Sequence, residues 1–67
     1  MEDDLTERAR GRIGQVVNGK YRIDALLGVG STAAVFATTH RNGHRAALKM
    51  LHREYSKRDA HPYETLA

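Results

Sequence analysis

The 67-residue chain has no cysteine, no tryptophan and a single proline. Without thiols it can build neither a disulfide framework nor a thiolate metal site, so its stability must come from a hydrophobic core. No apolar run approaches the roughly 20 residues that a membrane-spanning helix needs. The start, Met1-Glu2-Asp3-Asp4, carries the wrong charge for a secretory signal. A soluble cytoplasmic protein with no membrane partner is the expectation. Four aromatic side chains, Tyr21, Phe36, Tyr55 and Tyr63, are too few and too scattered for a base-stacking platform. Specific nucleic-acid binding is therefore not expected, although 11 Lys and Arg against 8 Asp and Glu give a formal charge of +3. That surplus favours polyanions without selecting one.

What is present fits one small domain. Apolar residues make up 40% of the chain and charged ones 28%, ordinary values for a globular protein and too apolar in the middle for disorder. Residues 1–18 read as a mobile leader, in which an acidic start gives way to Arg8, Arg10 and Arg12 with little to bury. Tyr21, Ile23, Ala25, Leu27 and Val29 then recur at period two, the alternation of a strand. The run Ala33 to Ala37 suits helix or strand, and its right-hand neighbour decides. Asn42-Gly43 is the pair that accepts the positive φ angles of a type I′ turn, and a hairpin needs a strand on either side. Ala46 to Leu51 supplies the second of these. Residues 19–53 are thus expected to form a three-stranded antiparallel meander. From residue 54 polarity rises through Lys57, Arg58 and Asp59, and His61-Pro62 disfavours a helix across that point. Residues 54–67 read as a tail holding at most the start of a helix.

The chemistry must lie in the meander. Its glycine-rich segment is Leu27-Gly28-Val29-Gly30-Ser31-Thr32-Ala33-Ala34-Val35, followed by a lysine in Ala47-Leu48-Lys49. Gly28 and Gly30 let the backbone approach phosphate oxygens with no Cβ in the way, presenting amide donors. Ala47 shares a strand face with Lys49, so a small side chain admits a base while the ammonium two positions on reaches phosphates. Val35 and Leu27 would supply apolar contact with the ring.

Read as Gly28-x-Gly30-x-x-Ala33-x-Val35 and then Ala46-Ala47-Leu48-Lys49, these residues resemble the G-x-G-x-x-G-x-V and V-A-I-K phrases of protein kinases, with fitting separation. Asn18-Gly19-Lys20-Tyr21-Arg22-Ile23 is similar to the approach to the first strand in bacterial eukaryotic-like serine/threonine kinases. The resemblance covers about residues 13–56. Ala33 departs from the third glycine, at a place where the loop is returning to the second strand. The resemblance implies part of the amino-terminal lobe of the α+β protein-kinase fold, with ATP as ligand. It assigns Leu27, Gly28, Val29, Gly30, Ser31, Thr32, Ala33, Ala34, Val35, Ala47 and Lys49 to the nucleotide, and magnesium would arrive with the ATP. Phosphoryl transfer needs a catalytic-loop aspartate, an asparagine and a D-F-G aspartate, none of which has a counterpart here. The chain alone is therefore expected to bind ATP weakly and to lack kinase activity, with the missing lobe or another protein as a partner.

Rival readings of the same residues fail on context. A dinucleotide fold needs a long helix after the glycines and an acidic residue about 20 positions on, where this chain offers a hairpin. Gly14 to Lys20 has P-loop spacing but continues with Tyr21 where a Ser or Thr belongs. His52-Arg53-Glu54 lies too close to Lys49 to be a catalytic H-R-D. Glu64 has little helix to hold it as the carboxylate that pairs with the lysine in active kinases. The four histidines lack companions at ligand spacing and read as solvated. Lys49 alone could be an edge-strand lysine that discourages aggregation. The alternative function is a non-catalytic interaction module docking through an exposed sheet edge.

Overall fold

The computed structural model describes residues 4–55 and 63–66. Its elements are helix α1 (Asp4–Arg10), strands β1 (Val16–Val17), β2 (Tyr21–Val29), β3 (Ala33–His40) and β4 (Arg45–Leu51), a 3-10 turn (Arg53–Tyr55) and β5 (Tyr63–Leu66). The strands form one antiparallel sheet in the order β1-β2-β3-β4-β5. The expected meander is present as β2-β3-β4, and it is extended at both edges by strands that the periodicity did not announce. Among the described residues no helix is long and apolar enough to cross a membrane. The expected break at His61-Pro62 lies outside the described residues.

Alternation along β3 and β4 sorts the sheet into two faces. Ala34, Phe36, Thr38, Leu48 and Met50 point inward and are buried, with Phe36, Thr38 and Leu48 at 0% exposure. Thr38 is tolerated there because its Oγ1 donates to the Ala46 carbonyl at 2.9 Å, so the hydroxyl is not buried without a partner. Together with Ile23 and Ala9 these apolar residues make the core, flanked by Val17, Leu26, Val29 and Tyr63.

Strand β2 does not keep strict period two. Its register slips between Ile23 and Ala25 and again between Leu26 and Gly28, so that Asp24 and Leu27 are each an extra residue against β3. Ile23, Leu26 and Val29 consequently face the core, while Ala25 and Leu27, expected beside Ile23, are exposed. The first slip has a polar cause. The Asp24 carboxylate accepts from Thr39 Oγ1 at 2.5 Å and from Arg22 Nε at 2.8 Å, an arrangement incompatible with turning toward the core. Those hydrogen bonds, Thr39 first and Arg22 next, hold its carboxyl below the usual aspartate range.

Two Asn-Gly pairs make different turns. Asn18 and Gly19 both take positive φ, +54° and +65°, as a type I′ turn demands, and Lys20 N donates to Val17 O at 3.0 Å across them. At the expected type I′ site only Gly43 is positive, at +91°. There His40 N donates to His44 O at 2.7 Å and Gly43 N to His40 O at 2.8 Å, closing a three-residue loop with its left-handed residue last. The Asn42 side chain caps this loop, its Oδ1 accepting from His44 N at 2.9 Å.

The segment expected as a leader contains α1. Seven residues are too few for a helix to persist on propensity alone. What holds α1 is tertiary: Ala9, 4% exposed, packs on the core, and Arg8 makes a two-pronged contact with Glu54 at 3.0 and 3.3 Å. That hydrogen bond raises the Arg8 pKa and lowers that of Glu54. Glu7 in the first turn and Arg8 and Arg10 in the last also suit the helix dipole.

Candidate functional site

Helix α1 covers one face of the sheet, and Lys49 lies on the other. Directly opposed residues of antiparallel strands share a face, so the pairing register reads as rows across the sheet. One row runs Gly28, Val35, Lys49, Glu64 through β2, β3, β4 and β5; the next runs Ala25, Ala37, Ala47, Leu66. Leu27, the extra residue of β2, lies between the rows. It is 62% exposed, and with Ala37, Ala47 and Leu66 it lines an open hollow of about 510 Å3 edged by Arg45. Small side chains in the middle of the sheet make the hollow; a leucine at either end bounds it.

The sequence-selected residues divide accordingly. Val35, Ala47 and Lys49 share this face, and the second slip in β2 brings both Leu27 and Gly28 to it, although they are adjacent in sequence. Gly30, Ser31 and Thr32 form the exposed turn between β2 and β3 at its end. Ala34 does not join them. At 3% exposure it belongs to the core beneath α1, because it is one residue from Val35 and strand alternation sends it to the other side. Val29 also packs against the core, and Ala33 is buried at 8%.

Not all glycines here are demanded by the backbone. Gly14, Gly19 and Gly43 sit at positive φ, whereas Gly28 and Gly30 do not. A Cβ added at Gly28 would meet nothing within 4 Å, and one at Gly30 would make only ordinary contact with the Ala33 carbonyl at 3.5 Å. Neither chain geometry nor crowding within the protein explains glycine at these two positions. The fold therefore leaves room in front of the turn for something else to approach.

Two residues at this site were missed by sequence reasoning. Glu64 stands on β5 opposite Lys49, on a strand where only a helix had been considered. Both side chains are exposed, and no hydrogen bond or ion pair joins them. The other is His52. It is 8% exposed, not solvated, and its Nε2 lies 2.7 Å from the Gly30 carbonyl. Its backbone N also donates to Thr32 O at 2.8 Å. No local sequence signal marks it, since the contact joins residues 22 positions apart. Its neighbours dispose of the H-R-D resemblance: Arg53 opens the 3-10 turn and Glu54 is engaged by Arg8. His40 is half-buried, edge-on to Tyr21 with ring centroids 5.0 Å apart, and Nδ1 accepts from Asn42 N at 3.1 Å. The P-loop spacing at Gly14 to Lys20 falls on β1 and its turn, with β2 following. Among the described residues no group of three or more His, Asp or Glu could hold a metal ion.

Comparison of the chain with protein-family models, with curated proteins and with solved structures finds no match.

Proposed function

We propose that this chain is a cytoplasmic ATP-binding segment like the amino-terminal lobe of a serine/threonine protein kinase, acting as a nucleotide-holding platform and not as a phosphotransferase. The observation that carries this reading is the row Gly28, Val35, Lys49 lying beside Ala25, Ala37 and Ala47 on the face that α1 leaves open. The row offers phosphates a side-chain-free backbone and an ammonium, and its neighbour offers a purine a low apolar floor between Leu27 and Leu66. Magnesium would come with the ATP. The groups that drive phosphoryl transfer are not among these residues, so the activity is binding. With the base covered on one side only, the affinity should be about millimolar, roughly 4 kcal/mol.

Titrating magnesium-ATP into isotope-labelled protein tests the proposal. Amide shifts should centre on Gly28 to Val35 and on Ala47 to Lys49, and Lys49→Ala should weaken them. A folded protein whose spectrum ignores ATP would end this reading.

A second reading is favoured by the sheet edges. β1 pairs with β2 only at Tyr21 and Arg22, so beyond the contacts of Ile23 the outer edge of β2 is open, as is that of β5 among the described residues. Such edges accept an added strand from another protein. A chain that stays monomeric at high concentration and captures no strand-forming peptide would count against it.

A further inference from the structure

We infer that His52 is the positioning residue of the glycine-rich turn, fixing which way its amides face; this rests on the nucleotide reading above. Lys49 and His52 are three residues apart at the end of β4, so alternation sends their side chains to opposite faces of the sheet. His52 lines the cavity beneath α1 together with Phe36 and Met50, whereas Lys49 is exposed on the open face. From below, the ring reaches the Gly30 carbonyl at 2.7 Å. A carbonyl only accepts, so Nε2 carries the hydrogen, in the neutral ring and the protonated one alike.

The consequence follows from peptide geometry. The Gly30–Ser31 peptide is trans, so the Gly30 C=O and the Ser31 N–H point in opposite directions across one planar unit. Drawing the carbonyl toward the α1 side turns the Ser31 N–H toward the Lys49 side. Neither Ser31 nor Thr32 donates a backbone hydrogen bond within the described residues, so these donors are spare. The second contact, His52 N to Thr32 O, and the closing bond from Gly30 N to Ala33 O, both 2.8 Å, hold the remaining two corners of the turn. One histidine thereby anchors the turn twice, through its ring and through its backbone. The preorganised donors then meet a polyphosphate without first having to be ordered.

The test compares His52→Ala and His52→Gln with the unaltered protein, using magnesium-ATP and inorganic tripolyphosphate as probes. Glutamine places an amide N–H₂ near the position of Nε2; alanine removes the donor from the part-buried Gly30 carbonyl. His52→Ala should move the Ser31 and Thr32 amide resonances and weaken both ligands by roughly three- to tenfold, the effect of one hydrogen bond. His52→Gln should recover affinity to within about twofold. Ring nitrogen shifts in the unaltered protein give a readout that needs no variant: in the neutral ring Nε2 should be the protonated nitrogen. An unprotonated Nε2, or His52→Ala binding both probes at full strength, would overturn this inference alone. Absence of binding by the unaltered protein would overturn the nucleotide reading and this inference with it.

Discussion

Exchanging each glycine for alanine should split the glycines into two classes. Gly19 and Gly43 hold positive φ, where an L side chain clashes with its own backbone at a cost of roughly 1–2 kcal/mol. Gly28 has ordinary φ and empty space where a Cβ would go. Alanine there removes conformational freedom from the unfolded chain and should stabilise by about 0.4–1 kcal/mol. In a domain of 60–100 residues each kcal/mol moves Tm by about 4–8 °C, so Gly43→Ala should melt clearly below the parent and Gly28→Ala at or above it. Urea and thermal unfolding followed by circular dichroism would measure both. The same Gly28→Ala protein should bind magnesium-ATP more weakly, because the added methyl stands where phosphates would approach. If Gly28→Ala proved as destabilising as Gly43→Ala, the claim that Gly28 serves a ligand and not the backbone would be refuted.

Phe36, fully buried at the centre of β3, should cost about 3–5 kcal/mol when cut to alanine. At roughly 0.05–0.15 kcal/mol per residue the whole chain has only about 3–10 kcal/mol to lose, so Phe36→Ala should remove about a third of that stability or more and lower the urea midpoint clearly; an unchanged midpoint would contradict the packing described. Asp24 has a folded-state pKa below its ordinary value of 3.8, so its stabilising contribution is complete above that value and is lost as pH falls through the lowered one. Asp24→Asn should flatten the stability profile in that acidic window and leave its neutral-pH shape unchanged, as acid titration of Tm would show. Removing the Glu64 charge with Glu64→Gln should tighten magnesium-ATP binding at low salt by up to about fivefold, with the gain vanishing as salt screens it; weaker binding would mean that Glu64 orients Lys49.

Local pattern made the middle of the fold legible and left its margins unread. β3 and β4 were readable because the Asn42-Gly43 turn between two short apolar runs demands a strand on either side. β2 was found, and Ile23 and Val29 of its expected face do turn inward, but Leu26 was missed and Ala25 and Leu27 misplaced, since a half-buried Asp24 tied to Thr39 shifts the pleat in a way that period two cannot register. The two Asn-Gly pairs are identical in sequence, and only the number of residues bridging the strands decides which becomes the type I′ turn. α1 and β5 escaped for a different reason. Each is too short to form alone and depends on contacts with distant residues: α1 on the core and Glu54, β5 on pairing with β4. Within Leu27 to Val35 the candidate site was legible only in part, since Val29 and Ala34 turn to the core and Ala33 is buried. His52 and Glu64 enter it through contacts made only by the folded chain.

Glu64 gives the lysine a neighbour of a particular kind. The resemblance to kinases implies a carboxylate carried by a helix and paired with this lysine, whereas here a strand supplies the carboxylate directly opposite Lys49. Opposed positions bring Cβ atoms to about 5 Å, so the two side chains can reach each other, yet both stay exposed and unpaired. An exposed ion pair gains little, because water screens the attraction and two long side chains would have to be ordered to make it. A triphosphate offers Lys49 several charges and also the donors of the adjoining turn, so the ammonium is better satisfied by that ligand than by Glu64. The carboxylate then acts as a competing charge that limits affinity. If the chain binds ATP as proposed, β5 also weakens the site it borders, and the millimolar affinity proposed above would belong to the architecture as well as to the uncovered base.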